Sequence, residues 1–500
     1  MDEVARPPTS LRGLLPFLAA YVAFLAGYAA LAQGWGPLHS DITEMWAWGK
    51  EFQLGYNKHP PFAAWLAGGW FAFMPRAHWA FYLLAALNGA AGLAGVWAVS
   101  RLVVDRPGAW AAVLALALTP SFTLSALKYN ANAPLLSLWP WATYFFVRSL
   151  QTRTAWSSAA AGLAAAAALL TKYYSVVLLG TFLCVALLHP DRRRYFLSVA
   201  PYVATAVGLV AIGPHLWWLY ADGFSAIEYA ASKASYGAGE ALRDTADGAL
   251  RAVASVGLAV AAFAVVFGGQ FPVMLGRALA GCREPGIAWV ACLAAGPFLL
   301  SMAAYAFGNV RVIASYLLPV FFALPLAFLA AARTDVSVLH VRRLAVIVAA
   351  VWAMVLLAAP VIGVISWHTS RAGWLEPRQE VAAYATELWH ARFGRPLRFV
   401  SGSEDVAKAV TFYSADAPSY LLLASFFGSQ RRMSADEARR LEGVLFICRN
   451  LDPWCIDMVA RLVGGDAVRL EQSFTPTFLG FTRPAHHFTL FAQPPRSVPR

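Results

Sequence analysis

Asp41 and Glu44 stand three residues apart at the start of SDITEMWAWGKEFQLGYNKHPP, residues 40–61. Positions i and i+3 share a helix face, so a helix begun near Ser40 would aim both carboxylates at one point. That arrangement suits general base work on a hydroxyl, with Asp41 as the base and Glu44 orienting the acceptor or sharing the role. A helix-capping Asp41 and a solvated Glu44 are the plainer uses of the same residues. Five cations, Lys58, His59, Lys128, Lys172 and Arg311, fall beside the ends of apolar segments, at the depth of a lipid phosphate. Cations held there stabilise negative charge that develops as a bond to phosphate breaks; long side chains also reach such positions merely by snorkelling. Pro60-Pro61 stiffens the chain after His59 and keeps that histidine out of a helix.

The elements that must hold these residues are membrane helices. Of 500 residues, 59% are hydrophobic and only 13% charged, with a mean hydropathy of +0.55. A soluble domain is nearer half apolar and a quarter charged. A spanning helix needs roughly 20 apolar residues, and about eleven such runs are present. The first six are Leu14–Trp35, His78–Val99, Ala109–Leu127, Ala133–Arg148, Trp156–Leu170 and Tyr173–Leu188. The others are Phe196–Leu219, Val253–Leu275, Ile287–Phe307, Val312–Ala332 and Leu344–Ile365. Thr171-Lys172-Tyr173-Tyr174 reads as a tight turn between two short spans. The short alternating strands of a membrane barrel are absent. The N-terminal MDEVARPPTSLRG has no cleavage pattern, so the first span is expected to remain.

The formal charge of +12 does not point to nucleic acid, because the basic residues lie in short loops between apolar runs. Arg6, Arg12, Arg101, Arg106, Arg148, Arg153, Arg192-Arg193-Arg194, Arg277, Arg283, Arg333, Arg342 and Arg343 fall on one side, which the positive-inside rule makes cytoplasmic. The first loop (36–77), Lys128-Tyr129-Asn130, Lys172-Tyr173-Tyr174, the Ala221–Leu250 loop and Asn309-Val310-Arg311 then face outward. After about residue 369 the pattern turns to mixed polar and apolar, with strand-like runs at Pro396–Ser401, Gly443–Cys448 and His487–Gln493. Helical pattern appears at Glu376–Phe393 and at Ser434–Leu441, where Ser434 and Glu437 have capping-box spacing. The expected architecture is a polytopic α-helical membrane domain (1–368) followed by a small external α/β domain (369–500). Cys448 and Cys455 are either a small-loop disulfide, in an oxidising compartment, or two buried thiols. No cysteine or histidine has metal-ligand spacing, and His486-His487 carries no metal expectation. His215, beside Trp217-Trp218, reads as a packed or interfacial histidine.

The array Asp41, Trp46, Trp48, Gly55-Tyr56 and His59-Pro60-Pro61 resembles the first-loop signature of polyprenyl-phosphate-sugar glycosyltransferases of GT-C fold. That group includes the protein O-mannosyltransferases and the lipid A aminoarabinose and galacturonic acid transferases. ANAPLLSLWPWATYF (Ala131–Phe145), GLAAAAALLTKYYSVVLL (Gly162–Leu179) and AVTFYSADAPS (Ala409–Ser419) are similar to further family strings. Three positions depart from the pattern: Ile42 follows Asp41 where a second acid is usual, Lys58 replaces an acid, and Asn132 replaces an aspartate. The resemblance implies inverting transfer of a sugar from a polyprenyl-phosphate donor to a glycolipid, lipopolysaccharide or other envelope glycan. Asp41 would be the base, with Glu44 beside it. Lys58, His59, Arg311, Lys128 and Lys172 would bind the donor phosphate. Tyr56, Trp46 and Tyr129 would contact substrate, although interfacial anchoring is the plainer use of Trp46, Trp48 and Trp65. The expected setting is the bacterial inner membrane, with the N-terminus cytoplasmic, the C-terminal domain periplasmic, and no metal or other cofactor. A lipid-linked sugar transporter would need charges near mid-membrane, where this chain has few. A non-catalytic envelope assembly factor is the other alternative.

Overall fold

In the computed structural model, the apolar runs fold as helices and the C-terminal region as an α/β domain. The structure describes residues 13–34, 36–234, 238–308, 310–369, 376–426 and 442–495. The expected Ser434–Leu441 helix, together with Arg6, Arg12, Trp35 and Asn309, lies outside the described residues. Six described helices are long and apolar enough to cross a membrane: Leu15–Gln33, His78–Ser100, Ala200–Ala221, Gly239–Gly281, Ala288–Gly308 and Val338–Thr369. Arg106–Leu116 and Pro120–Leu127 form a seventh candidate, bent by 87°. Ala155–Thr171 and Tyr173–Leu188 are shorter apolar helices, separated as expected by an extended Lys172. The chain is a multi-pass membrane protein.

Two regions differ from the sequence reading. Val312–Ala332 is helical only from Leu324, because Pro319 and Pro325 lack the N–H groups that would extend the helix backward. The segment expected as the Ala221–Leu250 loop contains two helices, Ser225–Ala234 and Ala238–Ser255.

The chain divides into two compact units that do not follow chain order. One contains residues 1–27, 54–63 and 82–357; the other contains 28–53, 64–81 and 358–500. In the first, the Ala155–Thr171 helix packs against Leu135–Thr152 and Ala200–Ala221, and Phe24 stacks on Trp352 with ring centroids 4.7 Å apart. The second is built on a five-stranded sheet of order β2-β1-β3-β7-β4. Its strands are β1 (Phe399–Gly402), β2 (Ser419–Tyr420), β3 (Val444–Arg449), β4 (Val468–Phe474) and β7 (His486–Gln493). β2, β1 and β3 run parallel, whereas β3, β7 and β4 are antiparallel.

Side chains alternate across a strand, and both sheet faces here are covered. Leu445, Ile447 and Leu490 pack with the Arg378–Phe393 and Glu404–Tyr413 helices. Val444, Phe446 and Cys448 pack with the Pro453–Leu462 helix on the other side. Cys448 and Cys455 are disulfide-bonded. A separate hairpin pairs β5 (Thr477–Phe478) with β6 (Phe481–Thr482). Parts of the first loop belong to this second unit because the Ser40–Gly49 helix buries nearly all its length there.

Candidate functional site

Asp41 lies in the first turn of a helix spanning Ser40–Gly49, where the spacing of the acids placed it. It does not cap that helix. His39 occupies the N-cap, and its Nδ1 accepts the Asp41 backbone N–H at 3.1 Å. The Asp41 carboxylate stands in the first turn, near the positive end of the helix dipole. The Asp41 side chain is 43% exposed and lies 3.7 Å from His39 Nδ1. Every residue from Ile42 to Gly49 is buried. Gly49 is required at the crossing with the Phe62–Phe71 helix, since a Cβ there would fall 2.3 Å from the Ala64 carbonyl oxygen.

Glu44 has a different environment, so the shared acid face separates into two. Its side chain is 12% exposed and accepts a hydrogen bond from Lys408 Nζ, which also donates to Glu404. Lys408 is itself 1% exposed. Its ammonium sits 4.4 Å from the Trp48 ring centroid and 5.1 Å from that of Tyr420. A lysine is almost never buried unless paired; here two carboxylates and two aromatic faces replace its water. Trp46 donates its indole N–H to Thr411 O at 3.2 Å and packs edge-on against Phe71 and Phe412. Trp46 and Trp48 are both buried, so neither occupies the surface position of an interfacial anchor.

The same helix pair is closed at its far end by backbone recognition. Arg76 donates to the carbonyls of Phe412, Ser414 and Ala415 at 2.9–3.2 Å, satisfying groups left over at the end of the Glu404–Tyr413 helix. Lys50 Nζ donates to Ala417 O at 2.5 Å. Burial depresses the Lys50 ammonium below its ordinary value despite the neighbouring Glu51. Tyr413 Oη accepts the Leu38 N–H and meets His78 Nε2, each at 2.8 Å. Lys408, Glu404 and Arg76 thus surround the motif helix, and sequence reasoning passed over all three. The available signal was a single lysine inside the apolar run Val406-Ala407-Lys408-Ala409-Val410, with an acid one turn before it.

The other unit holds the cations with Tyr56 and Tyr129. The Tyr56 N–H bonds the His59 carbonyl at 3.2 Å, turning the chain so that Lys58 and His59 share one half-buried bend. The His59 ring meets the edge of Tyr229 at 6.2 Å. Gly55 lies flat on Trp218, where a Cβ would fall 2.2 Å from the ring. His215 fastens this bend: Nδ1 donates to Leu54 O at 2.7 Å, and Tyr173 Oη donates to Nε2 at 2.9 Å. A carbonyl can only accept, which fixes the tautomer. The imidazole is stacked between Tyr173 and Trp218, as expected for a packed histidine. Tyr129 is buried and donates to Ala63 O at 3.2 Å.

The remaining cations are each engaged within this unit. Lys172 is buried with its ammonium 4.4 Å from the Tyr316 centroid, and Tyr316 packs at a tilt against Tyr174. Arg311 is ion-paired to Asp244 of the Ala238–Ser255 helix. Lys128 is half-buried. A short turn therefore gathers Tyr56, Lys58 and His59, and Lys172 and Arg311 lie beside Tyr316 and Asp244.

The crystal structure of ArnT from Cupriavidus metallidurans bound to undecaprenyl phosphate superposes with a TM-score of 0.60, covering 97% of this chain and 98% of that one at 16% identity. The resemblance to GT-C glycosyltransferases holds. The apo form of the same ArnT gives a TM-score of 0.59 at 15% identity, covering 96% of this chain and 98% of that one. Residues 58–218 match the family described as dolichyl-phosphate-mannose-protein mannosyltransferase. The matched stretch opens on Lys58-His59-Pro60-Pro61 and takes in Ala131–Phe145 and Gly162–Leu179. Lipid A galacturonosyltransferase RgtD of Rhizobium johnstonii is 26% identical over 180 residues, 36% of this chain and 37% of RgtD. The aligned stretch thus spans little more than a third of that relative.

Proposed function

We propose that this protein transfers a sugar from a polyprenyl-phosphate donor to a hydroxyl of an envelope glycolipid, lipopolysaccharide or related glycan. Asp41 takes the proton of the acceptor hydroxyl as its oxygen bonds the anomeric carbon. The bond from that carbon to the phosphate oxygen breaks, and the lipid phosphate leaves with the electron pair. A single displacement of this kind inverts the anomeric centre. Lys58 and His59 bind the departing phosphate, with Lys128, Lys172 and Arg311 as further cations for the donor. Arg311 serves in this way once the donor displaces Asp244. Tyr56, Trp46 and Tyr129 help shape the substrate contacts. Glu44 acts with Asp41 by holding the helix on Lys408.

The observation that carries this reading is Asp41 itself. It is a half-exposed carboxylate on a helix whose residues from Ile42 to Gly49 are all buried, at the positive end of that helix's dipole. In the cell we place the chain in a bacterial inner membrane with about eleven spans, a cytoplasmic N-terminus and the C-terminal α/β domain in the periplasm. The arginine-rich loops support that orientation.

The decisive experiment is sugar transfer by Asp41→Asn in a reconstituted system with a polyprenyl-phosphate sugar. Near-complete loss of turnover with normal binding of the lipid phosphate is expected, and undiminished transfer refutes the assignment. Movement of the sugar lipid in proteoliposomes without acceptor would instead favour a transporter.

A further inference from the structure

The hairpin of β5 and β6 is an apolar projection with an unusual tip. Leu479 and Gly480 form its two-residue turn, with φ of 49° and 81°. Both residues of such a turn need positive φ, which favours asparagine, aspartate or glycine at the first position. A leucine there adopts a conformation that non-glycine residues avoid, and it does so while 63% exposed. Phe481, on the strand just after the turn, is 54% exposed. A turn chemistry that breaks the local rule and gains no internal packing marks a site under some other demand.

The neighbours of the hairpin identify that demand. Phe478 packs on Trp367 with centroids 5.1 Å apart, and Phe481 meets His368 edge-on at 5.0 Å. Arg483, immediately after β6, donates from Nη1 to Trp367 O at 2.7 Å. Trp367 and His368 close the last turn of Val338–Thr369, which is apolar enough to cross a membrane and has only 17% of its most apolar window buried. Val361 and Ile365 on this helix are exposed, as the lipid-facing side of a span must be. The apolar tip is therefore continuous with the end of a membrane-crossing helix and is bonded to its backbone.

We propose that the Thr477–Thr482 hairpin inserts Leu479 and Phe481 into the lipid interface where Val338–Thr369 leaves the bilayer. Aromatic and leucine side chains settle at the boundary between headgroups and acyl chains, and Arg483 lies where a lipid phosphate is available to it. The hairpin then ties the α/β domain to the membrane surface at a point separate in sequence from the span. This inference rests on the membrane-spanning reading of Val338–Thr369 and is independent of the chemistry proposed for Asp41.

The test uses the full chain in nanodiscs, with Cys184, Cys282 and Cys292 replaced by serine and the disulfide retained. A nitroxide is attached at Leu479→Cys and, as a control on exposed β4, at Glu471→Cys. Collision with oxygen, which partitions into lipid, is compared with collision with a water-soluble nickel chelate. The oxygen-to-nickel ratio is expected to be several-fold higher at 479 than at 471. Equal ratios would overturn the proposal by placing the tip in water. Poor access of both reagents would also overturn it, by showing a protein partner or second copy over the tip. Leu479→Asn supplies a variant that suits the turn and folds; it should keep thermal stability in detergent while losing apolar contact with the bilayer. A fall in stability in detergent equal to that in nanodiscs would show instead that Leu479 serves only the fold.

Discussion

Replacing Lys408 with methionine is expected to damage the protein more than any other single change in its ion network. The ammonium is 1% exposed and serves the buried Glu44 and the partly exposed Glu404 together. Lys408→Met keeps the length and apolar stem but removes the ammonium that two acids share beside the Trp48 and Tyr420 rings. Removing one partner of a buried ion pair costs about 3–5 kcal/mol, because the remaining charge stays desolvated. Glu404 is 28% exposed and recovers part of its solvation from water, so the lower end of that range applies. Glu44→Gln should cost less, since Lys408 keeps Glu404, and Glu404→Gln least of all. The triple variant Glu44→Gln, Glu404→Gln, Lys408→Met should recover most of the loss, because whole-network replacement by groups of similar volume is often close to neutral. The assay is thermal unfolding of purified protein in one detergent at one heating rate, followed by tryptophan fluorescence, since unfolding of such a protein is a rate as much as an equilibrium. A Lys408→Met protein as stable as the parent would refute the reasoning, and so would a triple variant as damaged as the single one.

Further outcomes follow from the same geometry. Glu376 is buried between Arg378 and Arg449; burial alone would raise its pKa, but the two guanidiniums hold the carboxyl below its ordinary value of about 4.5. Its contribution is therefore complete above that value and lost as pH falls through the lower folded one, and Glu376→Gln should flatten that acid limb of a melting-temperature profile. Gly55→Ala places a methyl against Trp218 and should destabilise by about 1–3 kcal/mol, with partial rescue by Trp218→Leu in the same unfolding assay. His215→Phe keeps the ring stack but abandons the Leu54 carbonyl and the Tyr173 hydroxyl; a loss of about 1–3 kcal/mol and reduced donor affinity should appear in unfolding and lipid-phosphate binding. Because cationic side chains are assigned to the phosphate, transfer should persist after exhaustive treatment with EDTA, and abolition restored by a divalent ion would contradict that assignment.

Local pattern was legible wherever a segment's fate depends on its own residues. The helix from Ser40, the break at Lys172 and the strands around residues 400, 446 and 490 follow from spacing and punctuation. The disulfide was one of two open readings, since loop spacing alone does not decide between a bond and two thiols. The partners of those segments were not legible. Asp41 lost the capping role to His39, whose ring nitrogen accepts the backbone N–H of Asp41 itself. Arg311 found its counter-ion in Asp244, inside a stretch read as loop. Glu44 found its own in Lys408, 364 residues away, a distance over which no periodicity carries information. A lysine flanked by alanine and valine looks like a snorkelling side chain until the second acid is placed opposite it.

The clasp on Glu44 has a temporal cost during biosynthesis. Ribosomes add about 5–20 residues per second, so the 364 residues between Glu44 and Lys408 take roughly 20–70 s to synthesise. For that interval Glu44 and Trp48 lack the Lys408 ammonium that meets both in the folded chain. A chain stalled before residue 408 would hold the Ser40–Gly49 helix by its crossing with Phe62–Phe71 but without the Glu404–Tyr413 helix against it. An early-made segment of this chain is thus completed only by one of its latest.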